Sequence, residues 1–349
     1  MGRRKFLGVA GLGLGAASLT ALTAKGSAAN ASSVPPVSDP FPRQEEAVDW
    51  REIDRLHKEA VDTFVAQIDP EMIGFHWGAK GGTRDKAFTM SDDGFKVFDI
   101  TCKEVEWDTG GGQVFPAFTY DGIVPGPVVR LTVGDKVRFN VTNEMSESTS
   151  MHFHGMTVPN AVDGVTYVTN PPIEPGQTLS YEFEVKEAGS FMYHSHHNAA
   201  EQTVRGLLGA LIVEPADLSG EPEVAGDYIM VLNDSGLGYT INGMSFPYTQ
   251  PIVANLGDRI RVRIMNEGLM IHPMHLHGIV QFVTHKDGHA LASPYKVDTI
   301  NIAPGERYDL VIDLTEPGLW AWHCHILTHA ESRQGLHGMT TVIVVNAPE

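Results

Sequence analysis

Four His-x-His pairs dominate the chemistry this chain could do: His152/His154, His194/His196, His275/His277 and His323/His325. In an extended strand, residues i and i+2 point to the same side. Each pair therefore offers two imidazoles to one place. Neutral imidazole is the commonest side-chain ligand of transition metals. A single pair fits a histidine on a half-buried strand, but four pairs do not. Eight imidazoles exceed the needs of one ion and predict a cluster of two or three. Cys324 separates His323 from His325, so its thiol lies on the opposite face of that strand. With His272 upstream, and His329 and Met339 downstream, it completes a Cys, two-His, Met set. That is the ligand set of a blue-copper electron-transfer site. Its thiol is bonded through the backbone to two cluster histidines.

An internal repeat must position these groups. Gly134-Asp135-Lys136-Val137-Arg138, running to Asn143-Glu144, recurs as Gly257-Asp258-Arg259-Ile260-Arg261, running to Asn266-Glu267. His152 and His154 map onto His275 and His277 at the same offset of 123. Beyond them the offset becomes 129, mapping Pro175-Gly176 onto Pro304-Gly305 and His194/His196 onto His323/His325. One six-residue insertion in the second repeat accounts for the change. The first repeat carries Thr149, Ser195, Ala200 and Ala210 where the second has His272, Cys324, His329 and Met339. It can supply half of a cluster but no blue-copper site. Each repeat has the size and turn-rich texture of a Greek-key β-sandwich. We place the repeats at 90–216 and 222–347, with an acidic Pro/Gly linker between Glu214 and Gly226.

Composition agrees with an all-β globular chain. Gly 36 and Pro 21 in 349 residues favour turns. Lys+Arg 25 against Asp+Glu 43 argues against nucleic-acid binding. Two cysteines rule out a disulfide framework. At the N-terminus, Arg3-Arg4-Lys5-Phe6-Leu7 precedes an apolar stretch from Gly8 to Leu22 and small residues ending in Ala29-Asn30-Ala31. Residues 1–31 read as a signal peptide of the twin-arginine type, too short and small-sided for a membrane span. Export to the periplasm or the extracellular space is the expectation. Residues 32–89 read as a linker and helical extension. There Ile53, Leu56, Ala60 and Phe64 share one helical face, expected to pack on the main body.

Met151-His-Phe-His-Gly155, Tyr193-His-Ser-His196, His272-Pro-Met-His-Leu-His-Gly278 and His323-Cys-His-Ile326 resemble the multicopper oxidases over roughly residues 95–347. Two cupredoxin-like domains with blue copper only in the second resemble the two-domain bacterial small laccases. The resemblance implies four coppers per chain. Cys324, His272, His329 and an axial Met would hold type 1. His152 and His275 would hold type 2. His154, His194, His196, His277, His323 and His325 would hold the type 3 pair. Electrons would enter at Cys324, and Asp163 would relay protons. It also implies one-electron oxidation of phenolic or aromatic donors coupled to reduction of O2 to water. The family usually places the axial residue at the position of Gln334, whereas the repeat favours Met339. A homotrimer is expected, with clusters closed between subunits by head-to-tail contacts. The alternatives are a metal-ion oxidase acting on Mn(II) or Cu(I), a copper nitrite reductase, and a copper protein that only transfers electrons.

Overall fold

The computed structural model describes residues 49–71 and 84–348. The expected signal segment, with Arg3 and Arg4, and the start of the expected linker lie outside these residues, as does His76.

A helix spans Trp50–Val65, capped by the Asp49 carboxylate, which accepts from the amides of Arg51 and Glu52. Ile53, Leu56 and Ala60 are half-buried and Phe64 is buried, so the apolar face does turn to the body. Phe64 stacks on Phe246 with centroids 5.0 Å apart. The Leu56 carbonyl lies against Gly335, in the loop between His329 and Met339.

Both repeats form two-sheet sandwiches of the same plan, in line with the expected all-β class. In the first, strand Lys96–Asp108 runs parallel to Lys136–Asn143, which pairs with Thr178–Glu184. The second sheet orders Val129–Thr132, Leu208–Glu214, Gly189–His194 and His152–His154. In the second repeat, Gly226–Asn233 runs parallel to Arg259–Asn266, which pairs with Arg307–Asp313. The facing sheet contains Ile252–Asn255, Thr340–Asn346, Gly318–Cys324, His272–Leu276 and Thr299–Ile302. The insertion falls where the second repeat forms the hairpin Gln281–Lys286 and His289–Val297. The first repeat has a 3-10 turn, Asn160–Val162, in that interval. The first sandwich also recruits a segment assigned above to the extension: Asp85 bridges to Val128, and Thr89 pairs with Val97.

Alternation explains Lys136–Asn143. Val137, Phe139 and Val141 are buried, and the residues between them are more exposed. Its repeat partner Arg259–Asn266 breaks that rule, because Ile260 to Asn266 are buried on both faces. The outer face packs on the first repeat through Met192, Leu208, Ala210, Ile212, Ile229, Val231 and Met265. This junction also buries charge. Arg261 and Arg263 both bond Asp227, and Arg263 reaches Asp309 and the Ser190 hydroxyl of the first repeat. Each of these four charges, Asp227, Arg261, Arg263 and Asp309, has a partner, as burial demands.

Burial alone would raise the Asp227 carboxyl, but Arg263 and Arg261 outweigh it and hold it down at about 2. An unfolded Asp titrates near 3.9. Its contribution is therefore complete above about pH 4 and lost as pH falls towards 2. Chemical denaturation of Asp227→Asn should show about 2–3 kcal/mol less stability at pH 7, and the gap should close below pH 3.

Candidate metal centres

His152 and His154 flank the buried Phe153 on one strand, which pairs with the end of Gly189–His194. The pairing brings the first-repeat imidazoles together. Ring centroids of His152 lie 5.8, 5.3 and 5.3 Å from those of His154, His194 and His196. Nδ1 of His154 lies 3.1 Å from Nε2 of His194. The second repeat repeats the arrangement. His275 lies 4.6, 5.9 and 5.7 Å from His277, His323 and His325 by centroid, and Nε2 of His277 lies 3.0 Å from Nε2 of His323. Metal–nitrogen bonds of about 2.0–2.1 Å put two ligands at a right angle about 3 Å apart. Both close pairs therefore fit a shared ion.

Carbonyl groups orient the rings. Nδ1–H of His194 donates to its neighbour Ser195 at 2.9 Å, and that of His323 donates to Cys324 at 3.1 Å. Nδ1–H of His152 donates to the Asp163 carbonyl at 2.6 Å, and that of His275 to the Asp298 carbonyl at 3.1 Å. In each case Nε2 keeps its lone pair for a metal. Burial pushes His154 down to about 3, aided by the nearby His194. It pushes His194 down to about 4 against the Ser195 hydrogen bond. His152, His277 and His323 are lowered by burial as well. These imidazoles stay neutral at pH 7, which is the ligating form.

Asp163 sits beside His152, its Oδ1 3.5 Å from Nδ1. It caps the end of the 3-10 turn Asn160–Val162. Gly164 makes this possible: it has φ +84°, and a Cβ there would lie 1.8 Å from the Met151 carbonyl oxygen.

Cys324, His272 and His329 form a second, buried group. Cys324 Sγ lies 3.8 Å from His272 Nδ1 and 3.5 Å from His329 Nδ1, and the two nitrogens are 3.3 Å apart. A thiol and two imidazoles converging in this way fit one soft-ligated ion. Burial pushes the thiol up to about 11, so a metal must displace its proton. Met339 is fully buried beside the group. Its amide donates to His329 O at 2.8 Å, and its carbonyl accepts from Cys324 N at 2.9 Å. Gln334 lies exposed at the turn of the small hairpin Glu331–Ser332/Gly335–Leu336.

Asp234 escapes a reading by spacing. It lies 38 residues before His272 in sequence, yet its Oδ2 holds His272 Nε2 at 2.9 Å with both side chains buried. Burial opposes its charge, but hydrogen bonds from His272, Ser235, Met270 and Leu269 hold the carboxyl down at about 2. The matching place in the first repeat is filled by protein. The Gln202 Oε1 accepts from Thr149 at 2.8 Å and from Ser195 at 2.6 Å, and all three residues are buried.

The two groups of four histidines do not meet. Among the described residues, no hydrogen bond or ring contact joins them. The first group opens into a cavity of about 410 Å3 whose other wall is Asn266–Leu269 with Pro304 and Gly305. In the second group, His277 and His325 are exposed.

Two family models described as multicopper oxidase match residues 101–217 and 223–348. A solved blue copper oxidase from Nitrosomonas europaea is 37% identical, with a TM-score of 0.68, over 71% of this chain and 85% of that one. Copper resistance protein A of Escherichia coli is 28% identical over 62% of this chain and 46% of its own length. Laccase-1 of Cryptococcus neoformans is 28% identical over 66% and 44%. The chain spans about half the length of these curated relatives.

Outer partners of metal-binding histidines typically contribute 10–100-fold to affinity. Asp234→Asn should loosen metal at Cys324 by about that factor, read as chelator-driven loss of the thiolate charge-transfer band.

Proposed function

The chain belongs to the multicopper oxidase family and is a copper-binding oxidoreductase; from that premise we propose a laccase-like oxidase that couples one-electron oxidation of phenolic or aromatic donors to four-electron reduction of O2 to water. One observation carries this reading. Cys324 of the buried Cys324–His272–His329 group ends the strand that carries His323 and is flanked by His323 and His325, which face the other way. Electron entry and cluster are thus adjacent in the chain. Bound copper supplies the one-electron redox chemistry.

In this reading His272, Cys324, His329 and the buried Met339 hold type 1 copper. His152 and His275 hold type 2. Type 3 takes the close pairs His154/His194 and His277/His323 together with His196 and His325. Asp234 fixes the His272 ring, and the carbonyls of Ser195, Cys324, Asp163 and Asp298 fix four others. Each O2 reduced consumes four protons, and Asp163 beside His152 is the group that holds and passes them. Four coppers per chain follow.

The separation of the two histidine groups supports closure between chains. A ring in which each first-repeat group meets the second-repeat group of the next subunit satisfies both, and we infer a homotrimer. The twin-arginine-like start supports export. A metal-ion donor, Cu(I) or Mn(II), is the second reading, favoured by the relative named for copper resistance.

Copper per chain, the visible spectrum and O2 uptake test these proposals together. Four coppers, an intense blue band and phenol-driven uptake without peroxide release are expected. Cys324→Ser should abolish the band and the donor-driven uptake. Uptake with Cu(I) or Mn(II) but not with phenols would shift the assignment to the second reading. Two coppers per chain would replace both with a nitrite reductase.

A further inference from the structure

The most exposed large apolar side chains among the described residues are neighbours, Tyr167 at 79% and Val168 at 78%. They form the tip of the loop that follows Asp163 and Gly164. That loop is held rigidly. Gly164 N donates to Asn170 Oδ1, Val165 N to Thr169 Oγ1, and Asn170 Nδ2 to the Ala161 carbonyl. Tyr167 N donates to the Asn170 carbonyl, and Val168 N and Thr169 N to that of Val165. Tyr167 is fixed at φ +65°, a left-handed conformation costly for a bulky side chain. A rigid, strained loop that offers a tyrosine and a valine to water has the character of a contact surface rather than of a solvated turn.

The tip is tied to the first-repeat histidines from two sides. Asp163, at its base, accepts from His152. The Tyr167 ring meets His197, the neighbour of His196, edge-on at 6.1 Å. The second-repeat group has a matching rim. Val280, three residues after His277, is 45% exposed, and Leu327, two residues after His325, is 48% exposed. Net charge cannot draw two copies of this chain together, since each carries −18. Apolar groups such as these supply a contact that does not depend on charge.

We propose that Tyr167 and Val168 form a docking tip that seats on the second-repeat histidine face of another copy of this chain, beside Val280 and Leu327, and shields the joined histidine groups from water. This rests on the reading that the two groups complete one another between chains. Each chain then supplies a tip to one neighbour and a rim to the other.

The test compares the copper-loaded wild type with Tyr167→Asp/Val168→Asp by light scattering, copper content and visible spectrum. The wild type should be a trimer with a full complement. The double variant should sediment as a monomer, lose the copper held between chains and retain one copper per chain with the blue band of Cys324. That band, with unchanged far-UV circular dichroism, establishes that the variant is folded. Val280→Asp, on the opposite face, should dissociate the ring in the same way, whereas Tyr167→Phe/Val168→Ile should keep it. A double variant that remains trimeric and fully loaded overturns the docking tip and leaves the trimer standing. A wild type that is monomeric with a full complement overturns the trimer, and the tip with it.

Discussion

The period of two along a β-strand governs how this molecule is built. At each of four strand ends, two histidines face the open side and the residue between them faces inward. Those inward residues are Phe153, Ser195, Leu276 and Cys324, each at most 1% exposed. One segment therefore anchors itself in a dry core and presents two imidazoles on its open face in the same three residues. The geometry needs no long-range tuning. It needs only that the strand hold its register, which the buried central residue enforces, since a slip of one residue would bury both histidines. At Cys324 the inward residue is a thiol that faces His272 and His329, so the same alternation places two groups of potential ligands on opposite faces.

Two repeats with the same frame diverge at the inward site. In the second, His272, Cys324 and His329 converge, and Asp234 braces His272 from behind. In the first, Thr149 and Ser195 occupy the matching positions, and the Gln202 amide bonds both. A buried space that loses its ion must be filled and its polar groups satisfied. Gln202 does both, with its Nε2 donating to Ser148 O and the Glu147 carboxylate. The first repeat thereby keeps its fold and its four outward histidines while giving up the inward site.

The outward histidines, the inward cysteine and the repeat were legible in sequence because each depends on spacing within a strand or on a fixed offset. The helix face of Ile53, Leu56, Ala60 and Phe64 was legible for the same reason. Asp234 was not, because it approaches His272 from a separate loop across the sandwich, where no periodicity connects them. Gln202 was missed because the repeat pairs it with Glu331, an exposed residue with no matching role. The burial of Arg261 and Arg263 inside the Arg259–Asn266 strand has no signal in spacing, because Asp227, Asp309 and Ser190, which surround them, come from other strands. Sequence spacing reports what one strand does, whereas the outer partners belong to the packing of several.

That packing explains why one chain holds two separate histidine groups. The first-repeat sheet that bears His152, His154 and His194 packs its outer face on the second repeat. The sheet it meets is Gly226–Asn233 with Arg259–Asn266, which carries none of the eight histidines. The second-repeat histidines stand on the opposite sheet of that sandwich, and stacked sheets lie about 10 Å apart. A core of fully buried side chains, Trp322 and Ile264 among them, fills the gap. The wall facing the first group is accordingly the end of Arg259–Asn266 and the Pro304–Gly305 turn. Bringing the two groups together within one chain would mean turning the second sandwich over, which would expose Met265, Val231 and Ile229 and unpair Arg263 from Ser190. The contact that stabilises the chain is thus the one that keeps its two histidine groups apart.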